Sequence, residues 1–145
     1  MIKKFHKYFE SSDRVYYHGS SRIELPIGET LKGGDRYNQE QENSFSIVEK
    51  YRPENKLSHR EALFMCDDPD KISEAGGNTD NLYTVEPTSE VNKHDLSWVT
   101  SIKEVQDEHK IKLMAENFWK GEPNSVVNDP LWVYTTTEAK IVSQQ

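Results

Sequence analysis

Five histidines, a lone cysteine and scattered carboxylates are the side chains of this sequence that could do chemistry. The most pointed arrangement is Arg14-Val15-Tyr16-Tyr17-His18-Gly19-Ser20-Ser21. It reads as a short apolar strand, with Val15 and Tyr17 alternating inward, that stops on a histidine, a glycine and two hydroxyls. A histidine at a strand end beside a glycine turn can aim its imidazole into a cleft while the backbone stays rigid. The plain alternative is a hairpin end carrying a surface histidine.

Other chemistries are poorly served. His6, His18, His59, His94 and His109 form no His-x-x-x-His pair and Cys66 stands alone, so no metal is expected. Asp67-Asp68-Pro69-Asp70 reads as a capped helix start, not a calcium loop. No glycine loop for phosphates is present, since Lys32-Gly33-Gly34 is too short. Ser20 and Ser21 lack a glycine-flanked nucleophile turn, and Cys66 sits in an apolar run as a core thiol would.

These residues must be positioned by a modest chain. Its 145 residues fit one domain, 1–145, and the net charge of −7 opposes broad adhesion to phosphate backbones or anionic membranes. A single cysteine excludes an intrachain disulfide and fits a reducing, cytoplasmic setting. The basic start, Met1 to Lys7, is followed by no apolar run like a signal peptide, and nothing has the length of a membrane span.

Residues 1–13 read as an amphipathic lead-in, with Ile2, Phe5 and Phe9 near helical spacing. Ile23 to Leu31, broken by Pro26 and Gly28, reads as an edge strand or ordered loop. From Asp35 to His59 the chain is polar: either a short helix with Phe45, Val48 and Tyr51 facing inward, ending before Pro53, or a loop over a binding site. Glu61 to Cys66 and Asn81 to Glu86 read as strands around a short helix that ends at Gly76-Gly77. Asp95 to Val99 is expected as another strand. Ser101 to Glu104 matches a capping box opening a helix toward Lys120, with a bend or break near 107–110. Leu131 to Tyr134 and Ala139 to Val142 supply the last strands. The sum is α+β with mostly antiparallel pairing and two or three helices.

Taken in order, these pieces resemble a family. Tyr17-His18-Gly19-Ser20 is similar to the His-Gly-Thr/Ser strand end of the histidine class of ADP-ribosyltransferases. Ala62 to Asp67 resembles that family's second strand, which normally carries a tyrosine. Leu82-Tyr83-Thr84-Val85-Glu86-Pro87 resembles the Ile-Tyr-Ile-Val-Glu-Pro strand of the small rifamycin ADP-ribosyltransferases, and Tyr134 to Val142 the late strand with its glutamate.

The resemblance implies a split antiparallel β-sandwich with an NAD cleft between two sheets. It implies transfer of ADP-ribose from NAD to a protein, nucleic acid or small-molecule acceptor, with release of nicotinamide. Carried over, His18, Gly19 and Ser20 would hold NAD, and Phe64 would offer a ring face without the family's hydroxyl. Glu138 matches the glutamate position, and Asp95 competes with it for the acidic role. Such a carboxylate would stabilise the cation that develops as the nicotinamide–ribose bond breaks. Phe64 could equally be core, and Glu138 a solvated strand residue. The missing tyrosine leaves open a non-catalytic NAD- or partner-binding module. An RNA 2′-phosphotransferase ranks below both, because no arginine follows Arg60.

Overall fold

The computed structural model describes residues 14–35 and 37–145; the expected lead-in over 1–13 lies outside them. Among the described residues, seven strands and three α-helices follow in the order β1 Tyr16–Ser20, β2 Thr30–Lys32, α1 Gln39–Lys50, β3 Leu63–Met65, β4 Asn81–Pro87, β5 Asn92–Asp95, α2 Ser97–Ile102, α3 Glu108–Lys120, β6 Trp132–Thr136 and β7 Glu138–Gln144. The strands form two antiparallel sheets, ordered β1-β4-β7-β2 and β3-β6-β5. The fold is α+β, as the element count anticipated, with the sandwich-like arrangement of two antiparallel sheets that the resemblance implied.

Strand alternation divides the core in two. Met65 and Tyr134 join Tyr16, Tyr83, Val85 and Ile141 between the sheets. Their neighbours Cys66 and Val133 instead join Val48, Trp98, Ile102, Phe118 and Trp119 under the helices. Successive strand side chains point to opposite faces, so a single sheet serves both clusters.

Helix boundaries follow their caps. Asn38 Oδ1 accepts from the Gln41 amide at 2.9 Å while Gln41 Oε1 accepts from the Asn38 amide at 3.2 Å, a complete capping box that opens α1. Within α1, Phe45 and Val48 are buried, so the polar stretch is the helix rather than the loop. The helix predicted from Ser101 begins later. Ser101 lies in the last turn of α2, and Asp107 caps α3 through the His109 amide at 3.0 Å. The expected break near 107–110 is therefore a boundary between two helices. The strand expected over 95–99 ends at Asp95, and Ser97 already belongs to α2. Gly121, with φ of 77°, closes α3 in the left-handed conformation that glycine tolerates.

Strand β1 departs from expectation. Tyr16 is buried between the sheets and Tyr17 packs, partly buried, against the helical cluster, while Val15, expected to alternate with Tyr17 on a half-buried strand, is exposed. The strand also runs through His18 to Ser20 instead of ending at the histidine.

Candidate functional site

The two sheets meet at one point and part beside it. Tyr17 and Cys66 exchange backbone hydrogen bonds of 2.7 and 3.0 Å, a single bridge between β1 and the end of β3. Past the bridge the backbones no longer pair. His18 spans the gap with its side chain, donating from Nδ1 to the Phe64 carbonyl at 2.8 Å. A carbonyl can only accept, so Nδ1 carries the hydrogen and the ring orientation is fixed.

The parting opens a chamber of about 290 Å³. His18, Gly19, Ser20 and Phe64 all line it, so four of the six predicted site residues share one cavity. A second chamber of about 320 Å³ adjoins the first, and Asn38, Gln41 and Phe64 belong to both. Phe64 is thus part of the wall that the two chambers share, with Ala75 and Gly76 also common to both. Its ring stacks on Phe45, with centroids 5.7 Å apart and planes at 25°. Phe64 is only partly buried, so the choice between core residue and cleft wall resolves as both.

Gly19 is explained by packing. A Cβ there would collide with the backbone carbonyl of Asn78, so the 76–78 loop can close over β1 only at a glycine. Ser20 is buried, and its hydroxyl accepts from the Arg22 amide at 3.0 Å.

The predicted acids fare differently. Asp95 is fully buried outside both chambers. Its carboxylate accepts from the Ser97 amide and hydroxyl, the Asn124 amide and the Leu131 amide, at 2.7–3.0 Å. It ties β5, the start of α2 and the loop before β6 together, and that structural task removes it from the expected acidic role. Glu138 is half-buried at the first position of β7 and lines neither chamber. Its register partner across the ladder is Lys32, which does line the first chamber. Directly opposed residues share a sheet face, so Glu138 stands one strand spacing outside the chamber wall. Among the described residues no carboxylate lines the first chamber.

A carboxylate does act there at one remove. His59 lines the first chamber and is 6% exposed, and its Nδ1 lies 2.6 Å from Glu49 Oε2. Burial alone would raise the Glu49 pKa, but hydrogen bonds from His59, Ser58 and Arg52 hold it down to about 2. Glu49 is therefore an anion at neutral pH, and the Nδ1 hydrogen belongs to His59. Tyr37 stands beside it, with ring centroids 5.7 Å apart.

The sequence argument missed Tyr37 and His59, having weighed His59 only as a metal ligand. A signal was present. Glu42, Phe45 and Glu49 recur at helical spacing, so two acids share a helix face with an apolar residue that must be buried. A buried helix face carrying two acids needs a polar partner, and His59 is that partner.

Cys66 is buried, and burial pushes its thiol up to about 11, aided by Asp67 and Asp68. Burial thus disfavours the reactive thiolate form. Among the described residues no cluster of His, Cys, Asp or Glu is arranged to hold a metal ion, and no helix is long and apolar enough to cross a membrane. No protein-family model matches the chain, and no curated protein matches it.

Proposed function

We propose that the chain is an NAD-dependent ADP-ribosyltransferase of the histidine class, with the cleft beside β1 as its NAD site. The observation that carries this reading is His18: its ring is locked onto the Phe64 carbonyl where two antiparallel sheets part. The ring of Phe64 then offers a flat apolar face for the departing nicotinamide. Two adjoining chambers that share that ring suit an elongated ligand with two flat ends. Glu138, the carboxylate the resemblance assigns to the developing ribosyl cation, stands opposite Lys32, one strand spacing outside the chamber wall. The protein, nucleic acid or small-molecule acceptor would enter beside α1, whose Asn38 and Gln41 face both chambers.

A second reading keeps the ligand and drops the turnover. It is favoured by the absence of a carboxylate from the walls of the first chamber and by Phe64 in place of a tyrosine. Incubation with labelled NAD and candidate acceptors separates the two. Label transfer or nicotinamide release supports the enzyme, whereas calorimetric NAD binding with neither supports the binding module. His18→Ala weakens NAD at least about tenfold under the first or the second reading, the worth of one or two lost hydrogen bonds. Folded wild-type protein that gives no binding heat and no turnover overturns both.

A further inference from the structure

Two glycine pairs, Gly33-Gly34 and Gly76-Gly77, border the first chamber, and both use their amides inside the protein. Gly33 and Gly34 donate to the Thr137 and Ala62 carbonyls at 2.8 and 3.4 Å, and Gly76 and Gly77 donate to the Ser73 and Ile72 carbonyls at 3.0 and 2.9 Å. Neither turn offers the free amides that cradle a phosphate. What Gly33 does instead is let the chain cross from β2 to β3, since a Cβ there would collide with the Glu61 carbonyl. The residue left at the crossing is Lys32, and it lines the chamber.

The crossing fixes where Lys32 stands. Tyr17 pairs with Cys66 just past one end of β3, and Gly34 bonds Ala62 just before the other, four residues back. At 3.3 Å per extended residue those two points lie about 13 Å apart. His18 and Gly19 follow the first point and Lys32 precedes the second. The first chamber therefore runs along β3 from a histidine to a lysine.

Charge sets this chamber apart. The sequence holds 25 acidic residues against 18 lysines and arginines. Among the described residues, none of the acids lines the first chamber, and Lys32 is the one lysine or arginine that does. The second chamber, by contrast, is lined by Glu40 and Glu74 as well as Lys103. Glu138 stands directly across the ladder from Lys32, where opposite charges commonly pair, yet the two form no ion pair. Asp35 and Glu61, close to the same crossing, line neither chamber.

We propose that Lys32 is the counter-charge of the NAD diphosphate, so that the anionic middle of the dinucleotide lies in the first chamber at the β2 end of β3. This rests on the NAD reading given above and holds with or without turnover. An ammonium with no carboxylate beside it can give a phosphate oxygen a charge-assisted hydrogen bond. The diphosphate takes no part in breaking the nicotinamide–ribose bond, so Lys32 binds ground state and transition state alike. It is a binding residue, and its loss raises KM without lowering kcat.

The test is calorimetric titration of the full chain with NAD, ADP-ribose and nicotinamide, in the wild type, Lys32→Met and Lys32→Arg. Lys32 is exposed, so the thermal midpoint stays where it was in both variants. Lys32→Met weakens NAD and ADP-ribose about tenfold, the worth of one hydrogen bond to a charged group. Nicotinamide, which has no phosphate, binds as before, and Lys32→Arg stays within about threefold of the wild type. Added salt narrows the gap between wild type and Lys32→Met, as it must for a screened charge. Unchanged ADP-ribose affinity in Lys32→Met, an equal loss of nicotinamide, or a Lys32→Arg as weak as Lys32→Met overturns the role of Lys32 and leaves the NAD reading standing. Folded wild-type protein that binds neither NAD nor ADP-ribose overturns the NAD reading itself.

Discussion

His94 and His59 are 2% and 6% exposed, and each has Nδ1 held by an oxygen and Nε2 without a partner. His94 lies in the helical core. Its Nδ1 donates to the Phe118 carbonyl at 2.8 Å, and its ring stacks on Phe118 and meets Trp119 edge-on. No chamber reaches it, so its unpaired nitrogen only costs stability. His59 has a carboxylate behind it. Burial and an unpaired atom are common to both residues; what differs is the oxygen that holds Nδ1 and the chamber that His59 helps to line. The same contrast separates Asp95, whose carboxylate is consumed by four donors, from Glu49, which lends its charge to a ring that helps to line the cleft.

That contrast can be broken in several places. Asp95→Ala strands three backbone amides and a hydroxyl, and it lowers unfolding free energy by about 3–5 kcal/mol in denaturant titrations. NAD affinity of the folded fraction stays unchanged; a selective loss of binding would return Asp95 to the site.

Next in size is the pH response of His94. Burial holds its pKa down to about 4 from an ordinary 6.5. Between those values the unfolded chain takes a proton that the native ring refuses, so stability falls on acidification from about pH 6.5 to 4, by on the order of 2 kcal/mol. In His94→Phe that step disappears from the stability–pH profile.

Glu49 gives a separate step at lower pH. With its native pKa at about 2 against an ordinary 4.5, its stabilisation is complete above pH 4.5 and is lost as pH falls toward 2. Glu49→Gln removes that lower step and leaves the His94 step in place, which unfolding curves at pH 3 and pH 5 would resolve.

Smallest is Phe64→Tyr. Restoring a hydroxyl at the wall the chambers share raises nicotinamide release about fivefold, the worth of one hydrogen bond. A fall in rate would place the Phe64 ring elsewhere than against the nicotinamide.

Local signals made much of the fold legible. Proline and glycines marked β2 as an edge element, and it lies at the edge of its sheet. Asp68 and Pro69 marked a helical turn, and Asp68 caps Pro69–Lys71. The failures came where two local readings compete. Ser101 and Glu104 have capping-box spacing, but Ser101 lies in the last turn of α2, where its hydroxyl accepts from Asn124 across the fold. Val15 and Tyr17 alternate as well as Tyr16 does, and only the opposing sheet, through the Tyr16–Tyr134 ring contact, decides which face lies between the sheets. In the site, the His18 strand end was read from the residues themselves, and the roles of Gly19, Ser20 and Phe64 came through the family resemblance. Tyr37, His59 and the true use of Asp95 depend on contacts between segments distant in sequence, which no local pattern encodes.

The most direct test is an NAD titration followed residue by residue through backbone amide NMR shifts. Occupation of the cleft predicts saturable shifts at Gly19, Ser20, Gly34, Phe64 and Gly77, with His94, Asp95 and Phe118 unmoved. Shifts confined to the helical core, or none at millimolar NAD, would contradict it.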